Sequence, residues 1–180
     1  MDLMTENKVL PKLRFSSFNE DWNKVVLGNL ANSISSGKSK CEESGSFDVY
    51  GSTGKIGVCS NYSHQGKYIL VARVGANAGL LNFVQGSFGV TDNTLVLDLK
   101  DTSSIRFIFY CLLSFNLNRL VFGSGQPLIT GGQLKKLKFY LPLLPELQKI
   151  ASFLDSVDEK LQQLTKKKEL LEEYKKGVMQ

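Results

Sequence analysis

Histidine is nearly missing from this chain. His64 is the only one in 180 residues, which excludes a histidine-based metal site and any mechanism that needs paired imidazoles. Cysteine is scarce too. Cys41, Cys59 and Cys111 are odd in number, far apart and form no C-x-x-C pair, so neither a disulfide framework nor a zinc site is expected, and a reducing cytoplasm is the expected home. Long hydrophobic runs are absent. The longest, Phe107 to Leu113, is far too short to span a bilayer, and the N-terminus carries no signal-peptide pattern, so no membrane association is expected. What remains is 42% hydrophobic and 22% charged, the balance of a folded soluble protein, with room for one domain and little more.

One stretch is strongly patterned. Between Leu147 and Val178, Leu147, Leu154 and Leu161 form one apolar row, and Ile150, Val157, Leu164, Leu171 and Val178 form another. This is a coiled-coil stripe, polar toward its end where Lys168 and Lys175 continue the first row. Such a helix runs about 45 to 50 Å at 1.5 Å per residue, so its outer end projects and needs a partner. Pro142 and Pro145 mark its start, Glu146 suits the positive end of its dipole, and Lys175 and Lys176 suit the other. From Pro145 onward seven lysines balance seven acidic residues, so the net charge of +5 sits on the preceding part. A basic body on a neutral stalk suggests an anionic partner for the first and a protein partner for the second.

The expected fold class is α+β: a compact, bent β-sheet with a few helices, followed by one long projecting helix. Residues 1–20 read as a polar arm that packs through Leu13, Phe15 and Phe18, residues 21–143 as the domain, and residues 144–180 as the coiled-coil helix. Leu27–Leu30 with Ile34 looks like a short helix leading into a loop at 35–40. Short apolar runs cut by Gly, Asn and Ser predict strands over 47–50, 56–59, 68–74, 79–84 and 94–99. A helix is expected over 104–120, a loop over 123–127, and a last strand over 134–141 carrying Lys135, Lys136 and Lys138.

Motifs that suggest catalysis fail on spacing. Gly37-Lys38-Ser39 has Asn32 where a phosphate loop needs glycine, and Gly54-Lys55 is followed by Ile56 where that loop needs Ser or Thr. Asp92, Asp98 and Lys100 suggest a nuclease set. On one continuous strand, however, the two carboxylates lie roughly 20 Å apart, too far for one metal. Asp92-Asn93 therefore reads as a turn, and His64 as a solvated loop residue. No catalytic residue and no metal ligand is assigned. Polar loops do accumulate, at 51–55, 73–77, 91–93 and 123–126, with residue types that contact base edges and phosphates.

Several of these segments together resemble the specificity subunit of Type I restriction-modification systems. They are Pro11-Lys12-Leu13-Arg14-Phe15, Trp22, Leu27-Gly28, Tyr50-Gly51-Ser52-Thr53-Gly54, Ile69 to Gly75, Thr91-Asp92-Asn93-Thr94, Gly123 to Pro127, and Pro142-Leu143-Leu144 leading through Glu146 to Ile150-Ala151 and Phe153-Leu154-Asp155. The helix closes with Lys175-Lys176-Gly177 and Met179-Gln180. Glu146-Leu147 departs from the family's usual Glu-Gln. The family's full subunit has two recognition domains and two such helices. This chain has one of each, so it is a natural half-subunit or a fragment.

The resemblance implies a target recognition domain over 21–143 and a conserved spacer helix over 144–180. It implies reading of one half of a split double-stranded DNA target, docking of modification subunits that bind S-adenosylmethionine, and a restriction subunit that uses ATP and Mg. No cofactor is expected on this chain. Paired head to tail through Leu147, Ile150, Leu154, Val157, Leu161, Leu164, Leu171 and Val178, two copies would form a homodimer that mimics a full subunit. The residues expected at DNA are Lys38, Lys40, Ser52, Thr53, Lys55, Arg73, Asn77, Asn93, Ser124 and Gln126. The alternatives are a coiled-coil adaptor that binds protein, without salt-dependent DNA binding, and a metal-dependent nuclease that Asp98→Ala would abolish.

Overall fold

A bend in the central strands organises the body. In the computed structural model, which describes residues 11–121 and 128–179, the elements in chain order are β1 (Asn23–Val26), α1 (Leu27–Leu30), β2 (Ala31–Ser36), β3 (Phe47–Gly51), β4 (Gly54–Cys59), β5 (His64–Ala72), β6 (Leu81–Val90) and β7 (Thr94–Leu99). Then follow α2 (Ile105–Ser114), a 3₁₀ turn (Leu117–Leu120), α3 (Gly131–Lys135), β8 (Lys138–Leu141) and α4 (Leu144–Val178). Six strands form one sheet in the order β2-β7-β5-β6-β3-β4, antiparallel except for the parallel β3/β6 pair, and β1 pairs separately with β8. Among the described residues no helix is long and apolar enough to cross a membrane.

Gly66 and Gly86 are cross-strand partners in the β5/β6 pair, and both have left-handed φ, +132° and +119°. Only glycine takes such values without strain, so both strands turn at the same rung. The bend carries Val84, Phe88 and Val90 of β6 round a small core with Leu70 and Val96, flanked by Tyr50 and Tyr68. The other face packs a larger core, where Ile69, Val71, Leu95, Leu97 and Leu99 meet Ile105, Ile108 and Leu112 of α2 and Leu134 of α3. Centres of β5 and β7 are therefore buried on both faces, which is why they read as unbroken apolar runs.

Strands at 47–51, 54–59 and 94–99 agree with expectation. Elsewhere the structure corrects the sequence reading. β5 begins at His64 and β6 runs on to Val90, because their glycines bend the strands without ending them. His64 is thus a strand residue stacked on Phe88 at 5.8 Å, and its Nδ1 lies 2.8 Å from Ser63 Oγ. Ile34 belongs to strand β2, not to a helix and loop; only Ala31 and Ile34 of that strand are buried, and its register slips between Ala31 and Ser33. The helix expected over 104–120 stops at Ser114, since Asn116 takes a left-handed φ of 47° and a 3₁₀ turn follows. Leu134 lies in α3, whose N-terminus is a capping box between Thr130 and Gln133, so the last strand covers only Lys138–Leu141. In the arm, Leu13 is 92% exposed, whereas Phe15 packs edge-on against Phe153 at 6.1 Å and Lys149 Nζ sits 5.7 Å from the Phe18 ring centroid.

The 35-residue α4 starts at Leu144 with Pro145 in its first turn and is about 52 Å long at 1.5 Å per residue. Its root is in the body: Leu147 and Ala151 pack with Phe107, and Trp22 meets Phe107 edge-on at 5.9 Å. From Leu161 to Met179 every residue is exposed.

Candidate nucleic-acid interface

The turn between β6 and β7 gathers loops that are distant in sequence. Its Thr91 N–H donates to Tyr50 C=O at 3.0 Å, which ties it to the β3/β4 turn carrying Ser52 and Thr53. The Arg73 N–H donates to Asn93 C=O at 3.0 Å, and the Ile129 N–H donates to Arg73 C=O at 2.7 Å. Beyond β2, Gly37 N–H donates to Thr94 C=O at 3.1 Å and Ser39 N–H to Val90 C=O at 2.8 Å. A Cβ on Gly37 would lie 2.1 Å from Val90 O, so only glycine permits this approach, and it brings Lys38 alongside the turn.

Lys38, Ser52, Thr53, Arg73 and Asn93 thus belong to one corner held by backbone hydrogen bonds, with Lys40 just beyond it. Lys38, Lys40, Thr53 and Asn93 are exposed. Lys55, opposite Tyr50 on β4, points its Nζ at Asp48 Oδ1, 2.7 Å away, and the hydrogen bond it donates to Asp48, followed by the charge of that carboxylate, raises the lysine's pKa. Arg73 is half-buried; its Nε is buried without a hydrogen-bond partner among the described residues, as are Thr91 Oγ1 and Thr94 Oγ1. Buried unpaired donors are uncommon, and Arg73 is pinned on both sides by its own backbone. Thr94 is not among the residues expected at DNA, although it closes the family-like Thr91–Thr94 segment, because the burial of its hydroxyl shows only in the structure.

Asn77 stands apart: it lines a groove with Ala78, Leu112, Asn116 and Asn118 against α2. Ser124 and Gln126, with the 123–126 loop, lie outside the described residues; Leu128, just after them, bridges Val74. Asp92 is in the turn and Asp98 on β7, and the described residues contain no group of three His, Cys, Asp or Glu able to hold a metal. Burial pushes the Cys111 thiol up to about 12, far from the range of a nucleophile.

On the helix, Leu147 is 3% exposed and occupied within its own domain, so it is not part of the free stripe expected from the sequence. Ile150 and Leu154 are half-buried. Val157, Leu161, Leu164, Leu171 and Val178 are exposed and form a stripe with no apolar cover among the described residues.

Charge fixes the helix root, which apolar spacing did not reveal. Arg14 donates from Nε and Nη2 to the two carboxylate oxygens of Glu146, each at 2.6 Å, and Glu146 is 1% exposed. Arg106 of α2 donates through Nε to Asp155 at 2.6 Å and through Nη2 to the same oxygen. Tyr110 Oη is 2.7 Å from both Asp155 and Asp158. Burial first, then these acceptors, push the Tyr110 phenol upward, so it keeps its proton.

The model for the Type I restriction modification DNA specificity domain matches residues 19–173. A Type I restriction enzyme EcoprrI specificity subunit from Escherichia coli is 32% identical over 117 residues, 65% of this chain and 29% of that protein. A putative type I specificity subunit of Mycoplasma pneumoniae is 27% identical over 130 residues, 69% of this chain and 42% of that one. Among solved structures, the S subunit of a type I system from M. genitalium superposes with a TM-score of 0.72 at 22% identity, covering 88% of this chain and 44% of that one. The HsdS subunit of Thermoanaerobacter tengcongensis gives 0.60 at 20%, covering 81% and 39%. The chain spans less than half the length of each of these relatives. It belongs to the Type I restriction-modification DNA specificity family, the non-catalytic specificity subunits of those systems.

Proposed function

We propose that this chain reads one half of a split double-stranded DNA target through the corner around Thr91–Asn93, with residues 21–143 as the reading domain and residues 144–180 as the spacer helix. The carrying observation is that chain segments ending at Ser39, Gly51, Arg73 and Asn93 are hydrogen-bonded into one corner. Lys38, Lys40 and Lys55 would meet phosphates and fix register, while Arg73, Asn93, Ser52 and Thr53 would face base edges. Asp48 tempers Lys55, and phosphate would compete with it for the ammonium. The exposed stripe from Val157 to Val178 would pair head to tail with a second copy, and modification subunits would dock on the helices and supply S-adenosylmethionine chemistry. A restriction subunit would bring ATP and Mg, and the cytoplasm is the compartment this assembly requires.

Fluorescence anisotropy on duplex DNA over a salt series tests the reading. Lys55→Ala should weaken binding equally on all sequences and lower the salt slope by about one, and Asp48→Asn should strengthen it equally. Arg73→Ala should lose sequence discrimination at fixed salt slope. Salt-independent binding, or none, would favour a protein-binding adaptor. Light scattering on wild type and Val157→Asp tests the pairing: a dimer that the aspartate dissociates supports it, and a monomer in both cases removes it.

A further inference from the structure

The root of α4 is held by charge at two points on different neighbours. Arg14 of the arm grips Glu146 at 2.6 Å through both nitrogens. Nine residues along, Arg106 and Tyr110 of α2 grip Asp155, and Tyr110 also reaches Asp158. The Arg106 guanidinium lies over the rings of Phe83, Phe109 and Tyr110 at 4.6, 5.3 and 5.2 Å, so it joins β6, α2 and α4 at one place. Every residue from Leu161 to Met179 is exposed, so beyond this joint the helix is a free lever.

A lever converts a small angle into a large displacement. From Asp158 to Val178 is about 30 Å at 1.5 Å per residue, and one base pair is about 3.4 Å along duplex DNA. About 6° of tilt at the root therefore moves the reading corner by one base pair relative to the helix tip. Apolar packing of Leu147 and Ala151 on Phe107 tolerates such sliding, whereas hydrogen bonds from a stacked guanidinium and a phenol do not.

We propose that the Arg106–Tyr110–Asp155 joint is a spacing-determining device that fixes the angle between the reading domain and the helix, and with it the number of base pairs separating the two half-targets. The inference rests on the pairing and DNA reading proposed above. Tyr110→Phe removes one hydroxyl and keeps the ring; Arg106→Ala removes the guanidinium that crosses the joint.

The experiment is selection from a duplex library with random half-sites and spacers of variable length, read by sequencing, on the full chain and both variants, with dimer mass and melting temperature measured in parallel. Wild type should return two half-sites at one spacing. Each variant should return the same half-site sequences with the spacing spread over at least two neighbouring lengths, at unchanged dimer mass. A single unchanged spacing in folded, dimeric Tyr110→Phe overturns the joint while leaving the reading intact. Loss of half-site sequence together with spacing also overturns it, since the joint would then only support the fold. Single half-sites from the wild-type chain would instead remove the paired reading, and this inference with it.

Discussion

Leu147 and Leu161 occupy the same heptad row of α4, yet the first is 3% and the second 56% exposed. Replacing each by alanine asks the same chemical question in two environments. Leu→Ala removes three carbons, worth about 2.4 kcal/mol of lost burial at about 0.8 per methylene for a fully buried side chain, and the cavity left behind brings the range to about 2–5 kcal/mol. Leu147 is enclosed by Phe107, Ala151, Ile150 and Leu141, so its cavity is bounded by the body and by the helix. Leu147→Ala should therefore lower the melting temperature by roughly 4–20 °C, at about 2–4 °C per kcal/mol for a chain of this size. Leu161→Ala should leave it within about 0.5 kcal/mol of wild type when measured on dissociated protein, as surface changes do. Urea denaturation followed by circular dichroism, at a concentration shown by light scattering to be monomeric, measures both. Equal losses for the two variants would refute the assignment of α4 into a rooted part and a free part, as would a loss below about 1 kcal/mol for Leu147→Ala.

Other outcomes follow from the same structure. Burial works to raise the Asp155 pKa, but hydrogen bonds from Arg106 and Tyr110 and the charge of Arg106 outweigh it and hold the carboxyl below its usual value. Its stabilisation is therefore complete above about pH 4 and lost as pH falls through the depressed folded value, so Asp155→Asn should flatten acid denaturation in that window. His64 is shifted downward by burial, against a smaller opposing effect of Asp98, so folding favours the neutral ring and stability should decline as pH falls below about 6.5. His64→Phe, which keeps the stack on Phe88, should remove that decline in a pH series of thermal melts. Gly86→Ala meets no atom within 4 Å but is forced to φ +119°, so it should cost about 1–3 kcal/mol of backbone strain in urea denaturation, with no steric part.

What the sequence disclosed and what it concealed divide along physical lines. β3, β4 and β7 are legible because turn residues bracket their apolar runs, and α4 because its period survives for many turns. Gly66 and Gly86 mislead because glycine marks a bend as readily as an end, and only pairing across the sheet distinguishes the two. Thr130-x-x-Gln133 is a readable cap, but the apolar spacing from Leu134 to Leu141 masks it. Of the candidate contacts, Lys38, Ser52, Thr53, Arg73 and Asn93 do meet at one corner, while Asn77 faces the α2 groove. The joint could not be read at all. Arg14 and Glu146 are 132 positions apart, and Arg106 and Asp155 are 49 apart, so no local pattern couples them.

β6 connects the two halves of the proposed function. Phe83 near its start carries the Arg106 guanidinium, Gly86 bends it, and Val90 at its end leads into Thr91, where the candidate contacts gather. Seven residues therefore separate Phe83 at the joint from Thr91 at the reading turn, along a strand that is hydrogen-bonded to β5 and, over Phe88–Val90, to β3. A loop in that position would absorb a change of angle through its own torsions; a paired strand transmits it. Rigidity between the corner and the helix root is what a reader of split sites requires. Free torsion there would let one half-target be read at several distances from the other, and sequence would be recognised without spacing.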